Sequence, residues 1–301
     1  MLTVLLATRN RAQILREVLE SYCALEVPAS GWKLVVIDNG STDQTQDVIA
    51  AFKDRLPLQS VCEPALGKNA ALNTGLNLVE GDLVVLTDDD AFPAPDWLIQ
   101  LRKAADDQPA YSMLGGVIKP RWEVTPPQWV AWIDDPGPVY SITDPSLKEG
   151  PLEVFLIFGP NMAIRRSIFH SGMRFDPQIG PRGASYPMGS ETELLFRIER
   201  KGHKAWHVPR AVVEHFIRTE QTKKTWVLQR AFRWGRGRFR MAQNVKLWFG
   251  VPRHLFRDIP KELIVVAAAS LCFRRKAAFQ AQWRLNVLRG MANEARAIRS
   301  R

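Results

Sequence analysis

The segment Thr87-Asp88-Asp89-Asp90 sets three consecutive carboxylates directly after the apolar run Leu83-Val84-Val85-Leu86. Like charges this close repel, so either one carboxyl resists ionisation or a cation neutralises the group. A divalent metal with hard oxygen ligands does the latter. Carboxylates just past the carboxyl end of a strand also lie where open α/β sheets bind ligands. The same residues would serve equally as a surface turn or an acidic helix start, and this segment alone leaves both readings open. Three further segments join polar groups to a strand end or a helix start: Thr8-Arg9-Asn10-Arg11, Asp38-Asn39-Gly40-Ser41-Thr42-Asp43 and Gly67-Lys68-Asn69-Ala70-Ala71-Leu72-Asn73. In a parallel sheet all four would gather along one edge. Taken singly, Asn39-Gly40-Ser41 is a turn with a cap and Lys68 is a solvated lysine.

The elements that must position these groups follow from periodicity. Leu2 to Ala7 reads as a strand, and Asn10 with Gln13 has the form of a capping box opening a helix through Tyr22. Lys33 to Ile37 is a second strand, and Ser41 with Gln44 opens a helix to about Phe52. Leu58 to Cys62 is a strand, Gly67 to Leu78 a helix and Asp82 to Thr87 a fourth strand. Near-continuous Val, Ile and Leu runs fit strands buried on both faces of a mainly parallel sheet, and the β/α alternation fits a Rossmann-like layer. Beyond Asp90, Pro93 and Pro95 open a helix through about Ala105, and Met113 to Ile118 is a strand. Residues 120–151, rich in Pro, Trp and Asp, read as a long loop or a substrate-facing insertion. Leu152 to Phe158 reads as a strand, Ile164 to Ser171 and Glu191 to Lys201 as helices, and Ala205 to Val208 and Ala211 to Glu214 as strands. From Thr225 onward the pattern is helical and basic.

A chain of 301 residues, 46% hydrophobic and 24% charged, is an ordinary globular composition for one large or two ordinary domains. Cys23, Cys62 and Cys272 are scattered without a CxxC pair, which gives neither a disulfide framework nor a zinc signature and fits a reducing compartment. Met1 to Ala7 has no basic leader and reads as a first strand, not a signal peptide. The longest apolar run, Leu263 to Phe273, has eleven residues, short of the roughly 20 that span a bilayer. The net charge of +10 is uneven: residues 226–301 carry 17 Lys+Arg against 3 Asp+Glu, the preceding 225 carry 24 against 28. A positive tail interleaved with Trp and Phe is the make-up of interfacial helices, with Leu263 to Phe273 dipping into a headgroup layer and Arg274-Arg275-Lys276 gripping anionic lipid. No nucleic-acid motif accompanies the charge, so no nucleic-acid partner is expected.

Together, in this order and spacing, the four polar segments resemble the family 2 glycosyltransferases of non-processive, bacterial type, which have the GT-A fold. The similarity continues through Gly159-Pro160-Asn161-Met162-Ala163-Ile164-Arg165-Arg166, Phe175-Asp176, the segment Gly189-Ser190-Glu191-Thr192-Glu193-Leu194-Leu195-Phe196-Arg197 and Val213-Glu214-His215, and covers roughly residues 2–240. The resemblance implies an α/β, GT-A architecture: a nucleotide-sugar-binding subdomain over 1–118, an acceptor-binding and catalytic subdomain over 119–225 and a basic amphipathic helical tail over 226–301. It implies Mn2+ or Mg2+ held by Asp90, Asp88 and His215, with Asp88 otherwise facing the ribose or a metal-bound water and Asp89 less defined. Thr8, Arg9 and Asn10 would line the base, Asp38 would accept from a base N–H as the family does for uracil, and Lys68 and Asn69 would approach the ribose or phosphate. Glu191 stands at the family's catalytic aspartate as general base, with Glu193 as its alternative or as a partner of Arg197. The family's Glu-Asp pair reads Ser190-Glu191 here, one methylene longer in reach. Asn161 falls in the acceptor-side motif, and Arg230 or Arg233 would steady the diphosphate or merely line a solvated helix face. Arg230-Ala231-Phe232-Arg233-Trp234 is similar to the Gln-x-x-Arg-Trp motif of processive synthases, but arginine replaces glutamine and no transmembrane helix accompanies it. The activity implied is inverting transfer of a sugar from a nucleotide-diphosphate sugar, UDP-linked, to a glycan or lipid-linked acceptor. It would take place in the cytoplasm at an anionic membrane surface, in cell-envelope polysaccharide synthesis. The competing readings are a nucleotidyltransferase, disfavoured because no glycine follows the first strand, and a non-catalytic basic protein binding membrane or RNA.

Overall fold

The computed structural model describes residues 1–183 and 185–299. In chain order its first elements are β1 (Leu2–Thr8), α1 (Ala12–Tyr22), β2 (Trp32–Asp38), α2 (Thr45–Ala51), β3 (Leu58–Cys62), α3 (Lys68–Gly75), β4 (Leu83–Leu86) and β5 (Ala91–Pro93). There follow α4 (Trp97–Asp107), β6 (Met113–Trp122), α5 (Gly137–Tyr140), β7 (Gly150–Leu152), β8 (Met162–Arg165), α6 (Arg166–His170), α7 (Ser190–Glu199) and β9 (Ala205–Ile217). The last are α8 (Lys224–Met241), β10 (Leu247–Trp248), β11 (Val251–Pro252), α9 (Leu255–Leu271) and α10 (Arg275–Arg299). Packing groups them into two units, each drawn from three separated stretches. The first comprises Met1–Arg121, Tyr140–Pro177 and Ser190–Phe216; the second comprises Trp122–Val139, Gln178–Gly189 and the chain from Ile217 onward.

In the first unit the strand order is β3-β2-β1-β4-β8-β6-β9-β5, with β7 paired to β9. The run β3-β2-β1-β4 is parallel, and the pairings of β8 with β4 and β6, and of β5 and β7 with β9, are antiparallel. Alternate residues of the parallel strands point to opposite faces. Leu2, Val4 and Leu6 with Leu34 and Val36 pack against Leu15 and Leu19 of α1, Val48 of α2 and Leu101 of α4. Leu5, Val35 and Ile37 pack against Leu72 of α3, Phe169 of α6 and Leu194 and Ile198 of α7. Burial on both faces is why these strands read as continuous apolar runs. Register then sets the site. Thr8 pairs with Asp38, so two of the polar loops start side by side. Ala91 pairs with His215, which brings a distant histidine next to the acidic turn.

Several local expectations are corrected. Neither capping box forms: α1 and α2 have no side-chain cap at their N-cap residues. Asn10 instead takes a left-handed φ of 51° and accepts a bond from Thr42 N, while Ser41 Oγ accepts from Asn10 N, so the two loops tie to each other. Leu152 to Phe158 is not one strand; β7 ends at Leu152 and a 3-10 turn covers Val154–Leu156. There Val154 and Ile157 are buried three residues apart while Phe155 is exposed, a turn-like period and not a strand's alternation. Ile164 belongs to β8, and the helix starts only at Arg166. The two short strands after Ala205 are one strand, β9.

In the second unit α8 packs against α10 closely enough to need glycine. A Cβ at Gly235 would lie 1.9 Å from Val287 O, and one at Gly290 would lie 2.0 Å from Phe232 O. Glu294 of α10 is 1% exposed and accepts from Arg236 Nε and Arg240 Nε of α8, each at 2.6 Å. Two of the tail's arginines therefore neutralise a buried carboxylate and are not a solvated face. Among the described residues no helix is long and apolar enough to cross a membrane.

Candidate active site

The acidic turn is anchored at its start, where Thr87 Oγ1 donates to Pro160 O at 2.8 Å. Asp89 turns inward and accepts from Thr8 Oγ1 at 2.7 Å. Burial, reinforced by the charges of Asp90 and Asp88, pushes its carboxyl up to about 6. Asp89 is thus the member of the trio that resists ionisation, and Thr8 serves it. The outer pair faces His215: ligand atoms of Asp88, Asp90 and His215 lie within 4.8 Å of one another. His215 Nδ1 is 2.7 Å from Tyr140 O, a carbonyl that can only accept, so Nδ1 carries a proton and Nε2 is the nitrogen turned to the acidic pair. Nε2 lies 3.4 Å from Asp90 Oδ1. Burial pulls the imidazolium down, but Asp90 and Asp88 outweigh it and raise His215 above its ordinary value. Two carboxylates and an imidazole oriented by a backbone carbonyl form a donor set able to hold a divalent cation. Arg11 Nη1 lies 3.4 Å from Asp90 Oδ2.

The same rim carries the candidate base. Lys68, first residue of α3, bridges Asp88 and Glu191, with Nζ 2.8 Å from Glu191 Oε1. Burial lowers the Lys68 ammonium, but the two carboxylates raise it more, so it stays charged. For Glu191, burial raises the carboxyl, and the Lys68 charge with the bonds from Lys68 and Ser190 more than offsets this, holding it below its ordinary value. Ser190 Oγ donates to Glu191 Oε2 at 2.8 Å. A Cβ at Gly159 would lie 2.9 Å from Glu191 Oε1, so glycine there leaves room for the longer side chain. Glu191 is therefore an ionised carboxylate in the first turn of α7, where the helix dipole also favours negative charge.

The remaining residues are distributed unevenly. Asp38 Oδ1 accepts from Ser41 N at 3.0 Å and Oδ2 from Gln46 Nε2 at 2.8 Å, which leaves a lone pair on each oxygen. Arg9 and Asn10 are exposed on the loop after β1. Glu193 is paired to Arg197 Nε at 2.6 Å on its own helix. One expectation is corrected. Asn161 is 0% exposed, with its amide donating to Val117 O and Ala211 O and its carbonyl accepting from Trp97 Nε1, each at 2.9 Å. It cross-links the sheet to α4 and has no face left for an acceptor. Asn69 is buried and donates to Asp176 O at 2.8 Å, so its amide fastens the Phe175-Asp176 segment. Arg230 and Arg233 lie in the second unit: Arg230 donates to Pro138 O and stacks over Trp226, and Arg233 stacks over Tyr186. Arg11, Ser190 and the Tyr140 carbonyl were not expected at the site. Arg11 and Ser190 sit in motifs that pointed to it, whereas nothing in 120–151 signalled Tyr140.

The family model for glycosyl transferase family 2 matches residues 3–172. The glucosyl-dolichyl phosphate glucuronosyltransferase of Haloferax volcanii is 25% identical over 209 residues, 66% of this chain and 64% of that protein. The validoxylamine A glucosyltransferase of Streptomyces hygroscopicus subsp. jinggangensis is 31% identical over 118 residues, 38% of this chain and 28% of that protein. The chain thus spans less than two thirds of the length of these curated relatives. Among solved structures, mannosyltransferase PcManGT from Pyrobaculum calidifontis, in complex with GDP-Man and Mn2+, superposes with a TM-score of 0.60 at 22% identity. That match covers 99% of this chain and 74% of that one. Staphylococcus aureus TarS 1-349 in complex with UDP-GlcNAc gives a TM-score of 0.56 at 13% identity, covering 99% and 91%. At these identities the likeness carries the fold, which is GT-A.

Proposed function

Because the chain belongs to glycosyl transferase family 2, we propose that it transfers a sugar, with inversion, from a nucleotide-diphosphate sugar to a hydroxyl of a glycan or lipid-linked acceptor. One observation carries this reading: three metal-competent donors within 4.8 Å of one another share a sheet rim with a charged Glu191, linked to them through Lys68. Membership of the family displaces the nucleotidyltransferase and non-catalytic readings.

The acceptor hydroxyl gives its proton to the Glu191 carboxylate as its oxygen attacks the anomeric carbon. The bond from that carbon to the diphosphate oxygen breaks on the opposite face, so the products are the inverted glycoside, the nucleoside diphosphate and protonated Glu191. A divalent cation held by Asp88, Asp90 and His215 would supply Lewis-acid neutralisation of the departing diphosphate. Imidazole in the set and a GT-A neighbour solved with Mn2+ favour Mn2+ over Mg2+. Lys68 and Arg11 offer fixed positive charge to the same phosphates, and Lys68, drawn towards them, would free Glu191 to act as base. Asp38, beside Thr8 at the end of the parallel strands, would use its spare lone pairs on a base N–H, which fits uracil. TarS was solved with UDP-GlcNAc and PcManGT with GDP-Man; the uracil reading rests on Asp38 alone.

The acceptor reading draws on the Haloferax relative, whose name specifies a dolichyl phosphate sugar. Phe273 is 86% exposed and Phe249 78%, with Trp248, Ile264 and Leu271 also open. Lys246, Arg253, Arg257 and Arg274-Arg275-Lys276 flank them and are exposed too. Apolar side chains in water beside cations fit the interface of an anionic membrane. Release of UDP from UDP-sugars, with and without Mn2+, in the wild type and in Asp90→Ala tests the catalytic reading. Metal-dependent release that vanishes in the variant supports it, and failure of every nucleotide sugar to bind or react overturns it.

A further inference from the structure

A cavity of about 250 Å³ lies wholly within the second unit, and none of its lining residues has a part in the reaction above. Phe279 and Trp283, one turn apart on α10, form one wall, and Trp234 of α8 and Trp132 form others. Phe279 and Trp132 meet at 58° with centroids 6.4 Å apart, so the rings do not stack flat on each other. The polar end is fixed: Gln280 Nε2 donates to Asp134 Oδ1 at 2.7 Å and to Trp132 O at 3.1 Å. Arg284 also lines the space, held at Nε by Glu262 at 2.9 Å.

These walls select a ligand chemistry. An alkyl chain would fit the rings but use none of the polar groups beside them, Asp134, Gln280 and Arg284. A quaternary ammonium would fit an aromatic cage with Asp134 and Asp135 nearby, but Lys224 Nζ already sits 4.5 Å over the Trp132 ring and Arg284 lines the same space, so the ring faces are not left to a second cation. A pyranose satisfies both kinds of wall. Its C–H face lies on indole, and its vicinal hydroxyls donate to the Asp134 carboxylate and the Gln280 carbonyl and accept from guanidinium N–H. The volume falls below the roughly 300–1,000 Å³ of ordinary small-molecule sites and holds one ring, not a chain. We infer that the second unit carries a pyranose-binding subsite, built by Trp283, Trp132, Trp234 and Phe279 with Asp134 and Gln280, that holds one sugar residue of a glycan. This goes beyond the transfer reaction and does not rest on it.

The test uses the full chain with methyl glycosides of glucose, mannose, galactose and N-acetylglucosamine, without metal or nucleotide, read by saturation-transfer NMR and tryptophan fluorescence. At least one glycoside should bind saturably. Trp283→Ala should weaken it roughly tenfold, the scale of one lost aromatic contact. Asp134→Asn, at an exposed side chain that leaves the core untouched, should weaken it as well, and Asp90→Ala should leave it unchanged. Tetramethylammonium and uridine serve as competing probes. Saturable binding of neither glycoside nor competitor, preference for a competitor, or loss in Asp90→Ala would each overturn the inference. Glycoside binding without any nucleotide-sugar turnover would sink the transferase reading and leave this one standing.

Discussion

Replacing Glu191 by glutamine isolates the proton-accepting step with little change of shape. The glutamine carbonyl can take the place of Oε1 and accept from Lys68, and its amide can donate to Ser190 Oγ once that hydroxyl rotates. What disappears is the ability to take a proton, worth typically 10²–10⁴-fold in rate, or about 3–5 kcal/mol of barrier. Lys68 keeps Asp88 and gains an uncharged acceptor, so the fold loses only the charge of one partner in the Lys68–Glu191 pair, on the order of 1 kcal/mol at neutral pH. This second effect has a defined pH signature. The Glu191 carboxyl titrates lower in the folded chain than its usual value of about 4.3, so its stabilisation is fully present above that value. It is lost as pH falls through the depressed folded value, and the stability gap between wild type and variant should close there. Steady-state turnover, nucleotide-sugar titration calorimetry and urea unfolding at neutral and acid pH separate the terms. A variant that keeps more than about a tenth of wild-type kcat would refute the assignment and turn attention to Glu193. So would a stability gap that widens on acidification.

The other expectations are simpler. His215→Ala should raise the Mn2+ concentration for half-maximal activity by about tenfold or more, because even partners of metal ligands cost 10–100-fold; an unchanged Mn2+ titration would remove His215 from the site. Asn161→Ala removes three buried hydrogen bonds, to Val117 O, Ala211 O and from Trp97 Nε1, and should cost about 3 kcal/mol or more in denaturant unfolding. A loss under about 1 kcal/mol would contradict the cross-link. Phe249→Ser with Phe273→Ser should cut co-sedimentation with phosphatidylglycerol vesicles by more than about tenfold, since each phenyl is worth about 1.5–3 kcal/mol when buried. Wild-type protein that stays in the supernatant would remove the membrane from the account.

The chain itself announces its parallel core. Leu2 to Thr8, Trp32 to Asp38 and Leu83 to Leu86 are apolar on both sides because helices cover both faces, and the polar loops follow at their ends. Asp88, Asp90 and Glu191 were legible as carboxylates at element boundaries, since local spacing fixes where an element stops. Asn161 and Asn69 looked the same from the sequence, yet both point inward, because a side chain's direction depends on which neighbour packs against it. Only the folded chain decided the rest. His215 reaches the acidic turn through the pairing of β9 with β5, a contact 124 residues apart along the chain (Ala91 to His215). Lys68 sits between Asp88 and Glu191, and Arg236 and Arg240 turn from apparent surface charge into partners of Glu294. Periodicity reports what each residue does to its own element. Charge pairing, tautomer and metal-competent geometry arise between elements, and these exist only once the sheet has chosen its register.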